Sequence, residues 1–573
     1  MDLNDSVKPS QRAKKSPSAS DAPVEAHPPP LIPGPRLSLN PRTTGIDIDN
    51  LMRNFPGTPR PQQVEALEKI SAAFNHGAEY VVLEAPPGVG KSHIAMTLAQ
   101  TLGPAYITTL TAQLQGQYVR EFGHLDLAEL KGRGKYTCTR ASESCAIGGE
   151  VFKEDPCSTC PYVKAKEKAF AARTMVANYH SFMWNVGKQS DEFQKSDDLP
   201  ENNPIRPFMI LDEAHSIEGF LLDQIGIEVK LTQWSVKLPA LPTQDVDVQP
   251  YIDWLKEVVP ILKGIYASIT DAKAKLDLGR SLSKMVSIQR DHATGTEFIA
   301  ERGNKRAADG QNGWEMDPTW FALKPLTVGN HGRMLWKWGN RMLLMSATVL
   351  DAGTLVTNLG LDLSRGDFVQ LGSGFAKENR PIKVFPMPMT KEHREDTDEG
   401  PGSWTRTAEL VDRLMDHHAL EKGLLLCPSN EMLKYISAKL SRKNSNRLIT
   451  AFGNNREQRY DEHVKSSLPT VLAASGYWEG ADLKDDASRF QIIPAVPRAM
   501  WNGQIKARAK QSPAWYRWLS YTKLIQGYGR SVRSADDHAV TYIFDQEFLT
   551  ELNRGRGSLI PDWVREAVTV VGQ

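Results

Sequence analysis

A lysine followed by a hydroxyl residue, Lys91-Ser92, closes the stretch YVVLEAPPGVGKS from Tyr80 to Ser92. The chemistry such a pair serves is phosphate binding. Backbone N–H groups of a glycine-rich turn and the dipole of the following helix face the anion, and the lysine reaches the outer phosphates. The hydroxyl of Ser92 is placed for Mg²⁺. The loop has the form A-x-x-G-x-G-K-S, set by Ala85, Gly88 and Gly90, with Ala85 standing where the stricter pattern has glycine. Alone, G-K-S is an ordinary turn. Here an apolar run, Tyr80 to Leu83, reads as a buried parallel strand before it, and Ile94, Met96 and Leu98 open a helix after it. That context predicts a site for ATP or a close relative.

Two adjacent acids, Asp212-Glu213, follow a second apolar run, Phe208 to Leu211. Acids at the C-terminal end of a buried strand stand where open α/β sheets place their ligands. Asp212 suits Mg²⁺, held largely through water, and Glu213 suits the orientation and deprotonation of an attacking water. Phosphoryl transfer also needs positive charge as the transition state forms. QGYGRSVR, from Gln526 to Arg533, offers Arg530 and Arg533 on one helix face. An acid pair also caps helices and a basic helix also decorates surfaces, so each gains weight only from the other and from Lys91.

Four of the five cysteines, Cys138, Cys145, Cys157 and Cys160, lie in one stretch with the spacing C-x6-C-x11-C-x2-C. Four thiolates with one tight pair permit tetrahedral zinc or an iron–sulfur cluster, and the spacing does not choose. Cys427, in the apolar run LLLCP, reads as a small core residue. Basic and aromatic residues surround the four: Lys131, Arg133, Lys135, Tyr136, Arg140, Tyr162, Lys164, Lys166 and Lys168. Charges for phosphates and rings for bases suit a groove that tracks a single strand.

These residues need elements to hold them. With 573 residues the chain is long enough for two or more domains. Lys+Arg 69 against Asp+Glu 68 leaves a net charge of +1, so a nucleic-acid partner must be met by local basic patches. No apolar run is long enough for a membrane span, and MDLNDS lacks the features of a signal peptide, which predicts a cytoplasmic protein with reduced thiols. Residues 1–45, rich in Pro, Ser and Ala with Pro28-Pro29-Pro30, read as a disordered tail. Arg60-Pro61-Gln62-Gln63 opens a helix just before the nucleotide strand, and Gln63 suits the edge of an adenine. Strands are predicted at Ala105–Thr109, Met175–Ala177 and Arg341–Met345, the last running into Ser346-Ala347-Thr348. Between Ser216 and Trp338, Trp254, Val258, Ile261, Ile265 and Ile269, then Leu278, Leu282 and Met285, fall at helical spacing. That stretch reads as a mostly helical insertion, with Ala300 to Asn312 a loop. A second αβ alternation predicts strands at Gly423–Cys427, Arg447–Thr450, Val471–Ala474, Phe490–Ile493 and Val540–Phe544. Two α/β lobes, each on a parallel sheet, are the fold these patterns predict.

Taken in order, RPQQ, APPGVGKS, TLTAQLQGQ, LKGRGKYTC, VANYH, LDEAH, LMSATVLD, LLLCPSNEML, LAASGYWEGADL and QGYGRSVRS make the chain resemble superfamily 2 DNA helicases of the DinG/XPD type, from about Arg60 to Asp545. The resemblance implies two RecA-like motor domains, the first at 46–130, 169–215 and 339–371 and the second at 372–573. It implies an iron–sulfur insertion at 131–168 and an arch-like helical insertion at 216–338. On the same resemblance, Cys138, Cys145, Cys157 and Cys160 hold a 4Fe-4S cluster, with zinc as the alternative. Ser346 and Thr348 link nucleotide state to lobe movement. Gly476, Trp478, Glu479, Gly480 and Asp482 contact ATP and the strand, and Gln526 lies at the nucleotide.

The activity implied is an ATP-dependent helicase on single-stranded DNA, moving 5′ to 3′ into forked or overhang duplexes in the setting of DNA repair. An RNA helicase, or a nucleic-acid-remodelling ATPase subunit of a larger complex, is the alternative. Two features depart from the family pattern: Asp537 is followed by His538 rather than Gly, and the helical insertion is short.

Overall fold

The computed structural model describes residues 45–141, 143–152, 159–187, 205–234, 236–242, 247–306, 314–397, 400–476, 478, 483, 485–532 and 536–571. By contact the chain divides into Met1–Asn40 and Pro41–Gln573. The first unit, which holds most of the expected Pro-rich tail, lies outside the described residues. The second unit carries the rest of the fold.

Its first sheet has seven parallel strands in the spatial order Gly366–Gln370, Tyr80–Glu84, Gly339–Ser346, Arg206–Asp212, Ala105–Thr109, Thr174–Asn178 and Leu127–Glu129. Tyr80–Glu84 and Ala105–Thr109 are buried along their whole length, as both-face-covered parallel strands are. The acid-bearing strand Arg206–Asp212 lies beside the strand that ends in Ser346, with Asp212 opposite Met345. Two motifs distant in sequence thus end side by side. A second sheet, also of seven parallel strands, runs in the order Leu448–Ala451, Val471–Ala474, Gly423–Leu426, Phe490–Ile493, Val540–Asp545, Ile382–Met387 and Val568–Val570. One apolar cluster continues from Val82 and Leu344 of the first sheet through Val349 and Trp518 to Leu426 and Ile493 of the second. The two lobes therefore meet on a buried apolar seam.

Between the acid pair and the Ser346 strand the chain forms its own body. Helices Gln249–Ser268 and Ala272–Ala293 pack on a three-stranded antiparallel sheet, ordered Ile227–Lys230, Trp314–Pro325, Phe298–Arg306. This corrects two expectations. The body is helix and sheet rather than mostly helical, and the predicted loop from Ala300 is strand as far as Arg306, with residues 307–313 outside the described set. The strand reads as a loop because its sequence after Ala300 is polar, and one face of an antiparallel sheet can stay wet. The helix Gln249–Ser268 also faces the core differently from its expected stripe. Leu255, Val258, Val259 and Leu262 are buried, whereas Ile261 is 39% exposed.

Arg206 anchors the cysteine-bearing segment to the first sheet. Its buried guanidinium donates to the carbonyls of Ala105, Arg173, Ala169 and Phe170, and lies 4.5 Å from the Tyr106 ring. Ala169 and Phe170 belong to the helix Pro161–Ala171 that begins at Cys160.

Candidate functional site

The phosphate loop, Ala85 to Gly90, leaves the strand Tyr80–Glu84 and enters the helix Lys91–Leu102. Gly88 and Gly90 have φ of +81° and +86°, which side chains with a Cβ rarely adopt. At Gly88 the Phe375 ring occupies the place a Cβ would take. Lys91 Nζ donates to Ala85 O at 3.1 Å, and Ser92 Oγ lies 3.4 Å from Glu121 Oε2. Gln63 is buried and both ends of its amide are engaged. Nε2 donates to Val89 O at 2.9 Å, and Oε1 accepts the Arg60 N–H at 2.8 Å. Its side chain braces the loop from behind.

Asp212 ends its strand buried. Oδ2 accepts the Tyr118 hydroxyl at 3.2 Å, Oδ1 accepts the Glu213 N–H at 3.0 Å, and Tyr179 donates to its carbonyl at 2.6 Å. Burial, and then the charge of Glu213, push its carboxyl well above the usual range, while Lys91 opposes the rise. Glu213 has φ of +56°, a strained conformation for a non-glycine residue. Its neighbour His215 is held by Ser346 Oγ at 2.8 Å from Nδ1.

The second lobe reaches this site through the helix Pro513–Tyr528 and the turn after it. Gln526 Nε2 donates to His215 Nε2 and, at 3.1 Å, to Thr348 Oγ1. A Cβ added at Gly529 would lie 3.0 Å from Pro87 Cγ of the phosphate loop. Arg530 Nε donates to Trp478 O at 3.0 Å. Pro87, Phe375, Tyr528, Gly529 and Val532 line a cavity in this seam. The structure therefore brings Ala85, Gly88, Gly90, Lys91, Ser92, Asp212, Glu213 and Gln526 to one cleft edge, with Arg530 next to Gly529 above the loop. Arg533, Glu479, Gly480 and Asp482 lie outside the described residues.

Arg60, Glu84 and Tyr118 were not singled out from sequence. Arg60 Nη1 donates to Gly88 O at 2.7 Å and so fixes the loop. Glu84, buried beneath it, accepts the Leu350 N–H at 3.1 Å, and burial pushes its carboxyl up to about 7. A charged residue closing an otherwise apolar strand was the available signal for Glu84; nothing in the spacing marks Tyr118.

The cysteine segment folds as a hairpin and two helices. Thr137 and Ser144 pair across the hairpin, Cys145 begins the helix Cys145–Val151, and Cys160 precedes the helix Pro161–Ala171. Cys145 and Cys160 sulfurs are 3.2 Å apart, and both residues are buried, as is Cys138. A Cβ at Gly148 would collide with Cys138 Sγ, so that glycine leaves the room the thiol occupies. Burial and the neighbouring Cys160 raise the Cys145 thiol, and Arg133 acts in the opposite sense. Among the described residues no group of three or more metal-ligating side chains is assembled. Cys157 lies outside them. Three buried thiols, Cys138, Cys145 and Cys160, with the Arg133 cation acting on Cys145, fit a thiolate-bound group. Of the basic rim, Lys131 pairs with Glu129 at 2.8 Å, Arg133 lies 5.4 Å from the Tyr162 ring and Arg140 lies 3.9 Å from the Phe152 ring.

Comparison with known proteins agrees with this geometry. Residues 412–567 match the family described as helicase C-terminal domain, and residues 57–225 match the family described as type III restriction enzyme, res subunit. The chain is 23% identical to the ATP-dependent DNA helicase YoaA of Escherichia coli K12, over 87% of this chain and 93% of that one. Its fold is similar to a solved XPD helicase, with TM-score 0.57, 13% identity, and 86% and 96% of the two chains covered. It is also similar to Xpd4 of S. tokodaii, with TM-score 0.53, 14% identity, and 90% and 100% covered. Two RecA-like lobes with this seam make the chain a superfamily 2 helicase. Within that class it is similar in sequence and fold to the DinG/XPD type. Among the described residues no helix is long and apolar enough to cross a membrane.

Proposed function

We propose that the chain is an ATP-dependent DNA helicase that moves 5′ to 3′ along single-stranded DNA and opens forked or overhang duplexes. The observation that carries this reading is the contact of Gln526 with His215 and Thr348. It joins the second lobe to the residues that follow both the acid pair and Ser346. A bond of that kind makes the state of the nucleotide site and the position of the lobes one equilibrium.

In this reading ATP lies in the seam, with residues 46–371 and 372–573 supplying opposite walls. Lys91 and the loop N–H groups hold the outer phosphates. Glu213 takes the proton of the attacking water. Arg530 and Arg533 offset the charge that develops on the transferred phosphoryl group. Asp212 and Ser92 are the residues that would hold Mg²⁺; when bound, that ion neutralises phosphate charge. Burial has already made the proton on Asp212 easier to keep, so a cation beside it would favour the ionised form. Cys138, Cys145 and Cys160, with Cys157, would hold a 4Fe-4S cluster, which supplies a cross-link between the hairpin and its two helices. The surrounding Lys135, Lys164 and Lys168 would meet DNA phosphates.

Stimulation of phosphate release by single-stranded DNA and by RNA of the same length tests the reading. DNA should stimulate strongly and RNA weakly. Stronger stimulation by RNA would replace the proposal with the RNA-helicase alternative.

A further inference from the structure

One contact set outside the nucleotide seam ties the lobes together with buried charge. Arg508, in the second-lobe helix Gly503–Gln511, forms an ion pair with Glu218, and both side chains are 5% exposed. Glu218 lies in the helix that follows the acid pair directly. Arg508 also donates to Leu326 O at 3.0 Å and to Asn358 Oδ1 at 3.1 Å, and its guanidinium lies 4.3 Å from the Trp515 ring. Trp515 Nε1 completes the set by donating to Glu218 Oε2 at 3.0 Å. One turn earlier, Gln504 reaches the three-stranded sheet. Its N–H donates to Glu301 Oε1 at 2.8 Å and its Nε2 to Pro325 O at 2.6 Å.

Moving the two groups apart without admitting water would leave two buried charges uncompensated, which is a costly change. A turning motion between two bodies leaves points on its axis in place. The buried pair therefore belongs at the axis of lobe movement, and the nucleotide cleft, where Gln526 meets His215 and Thr348, belongs at the side that opens. We propose that Arg508 is a positioning residue for strand separation. It pins the pivot of the second lobe at the root of the 216–338 body, and Gln504 passes the turning of that lobe to the body's sheet. Duplex opening then draws on a body that moves with the second lobe although its chain ends join the first.

This inference rests on the helicase reading, and its test separates the two. The variants are Arg508→Met with Glu218→Leu, an apolar replacement that can retain stability where a single change strands a charge, and Gln504→Ala. Bio-orthogonal dyes at exposed Lys263 and Glu409 report the distance from the 216–338 body to the second lobe. In the wild type, energy transfer between them should stay constant when a non-hydrolysable ATP analogue and single-stranded DNA are added; in either variant it should change. Base pairs opened per ATP hydrolysed should fall at least about fivefold in both variants, the lower end of ordinary coupling energies. DNA-independent ATPase should be retained. A double variant with the wild-type melting temperature and the wild-type opening ratio would overturn the proposal, because the pair would then be packing alone. If the double variant melts early, Gln504→Ala decides: an unchanged ratio overturns the proposal. Transfer that changes in the wild type as much as in the variants also overturns it. A wild type that hydrolyses ATP but opens no duplex would end the helicase reading, and the energy transfer would still judge the pivot.

Discussion

Gln526 of the second lobe and His215 of the first meet side chain to side chain in a buried seam, and the same amide nitrogen reaches Thr348. The Gln526 amide meets His215 at Nε2, and His215 Nδ1 lies 2.8 Å from Ser346 Oγ. One chain of bonds thus runs from the end of the acid-bearing strand to the end of its neighbour and across to the other lobe.

Gln526→Ala should break that chain while leaving the phosphate loop intact. A buried acceptor left unpaired loses about 1–3 kcal/mol, so DNA-stimulated turnover should fall about 5- to 150-fold. Nucleotide affinity should change little. Equilibrium binding of a fluorescent ATP analogue beside steady-state phosphate release checks both; wild-type stimulation in the variant would contradict a coupling role.

Glu213→Gln should still bind ATP and lose turnover by about 10²- to 10⁴-fold, the range a positioned general base supplies. Single-turnover quench-flow with radiolabelled ATP reads the chemical step directly. Hydrolysis within twofold of wild type would remove Glu213 from its assigned role.

Glu84 predicts a pH signature. Burial raises its carboxyl from 4.5 to about 7 in the folded chain. Between those values the folded state holds a proton that the unfolded state has released, so its contribution to stability falls as pH rises through that window. Glu84→Gln can still accept the Leu350 N–H and never ionises. It should be more stable than wild type above pH 7, on the order of 3 kcal/mol, with the gap closing below about pH 4.5. Urea melts across that range measure it. A gap independent of pH would contradict the account.

Cys145→Ser should lose bound iron and most duplex opening while keeping DNA-independent ATPase, because the thiol pair joins the helices Cys145–Val151 and Pro161–Ala171 and belongs to neither the phosphate loop nor the acid-bearing strand. Metal analysis of anaerobically purified protein, wild type and variant, is the readout. Stoichiometric zinc without iron in the wild type would overturn the 4Fe-4S assignment in favour of the alternative.

What the sequence made legible follows local physics. Val471–Ala474 and Phe490–Ile493 are short apolar runs between turn residues, and they are strands with the expected bounds. The phosphate loop was legible because an apolar strand, two glycines at positive φ and a helix start must follow one another within a dozen residues. Ile382–Met387 and Val568–Val570 were not read, since one carries a proline and the other is three residues long at a sheet edge. Ile261 shows the limit of a helical stripe: the spacing is right, but neighbouring tertiary contacts chose the face one position away. The type of Gln63 suits the edge of a base, and tertiary packing adds partners that the type alone does not show, its own helix start and Val89. Arg508 and Glu218 could not be paired from sequence, because neither has a local pattern and only the tertiary fold brings their two helices together.

The account stands on a seam in which two lobes share one hydrolysis site and turn its cycle into strand opening. Strand displacement from a duplex with a 5′ single-stranded overhang, with ATP and Mg²⁺, tests it most directly, using wild type and Lys91→Ala. The wild type should release the labelled strand, with a 3′-overhang duplex released far more slowly and Lys91→Ala releasing none. No ATP-dependent release from either overhang, or equal release by Lys91→Ala, would contradict it.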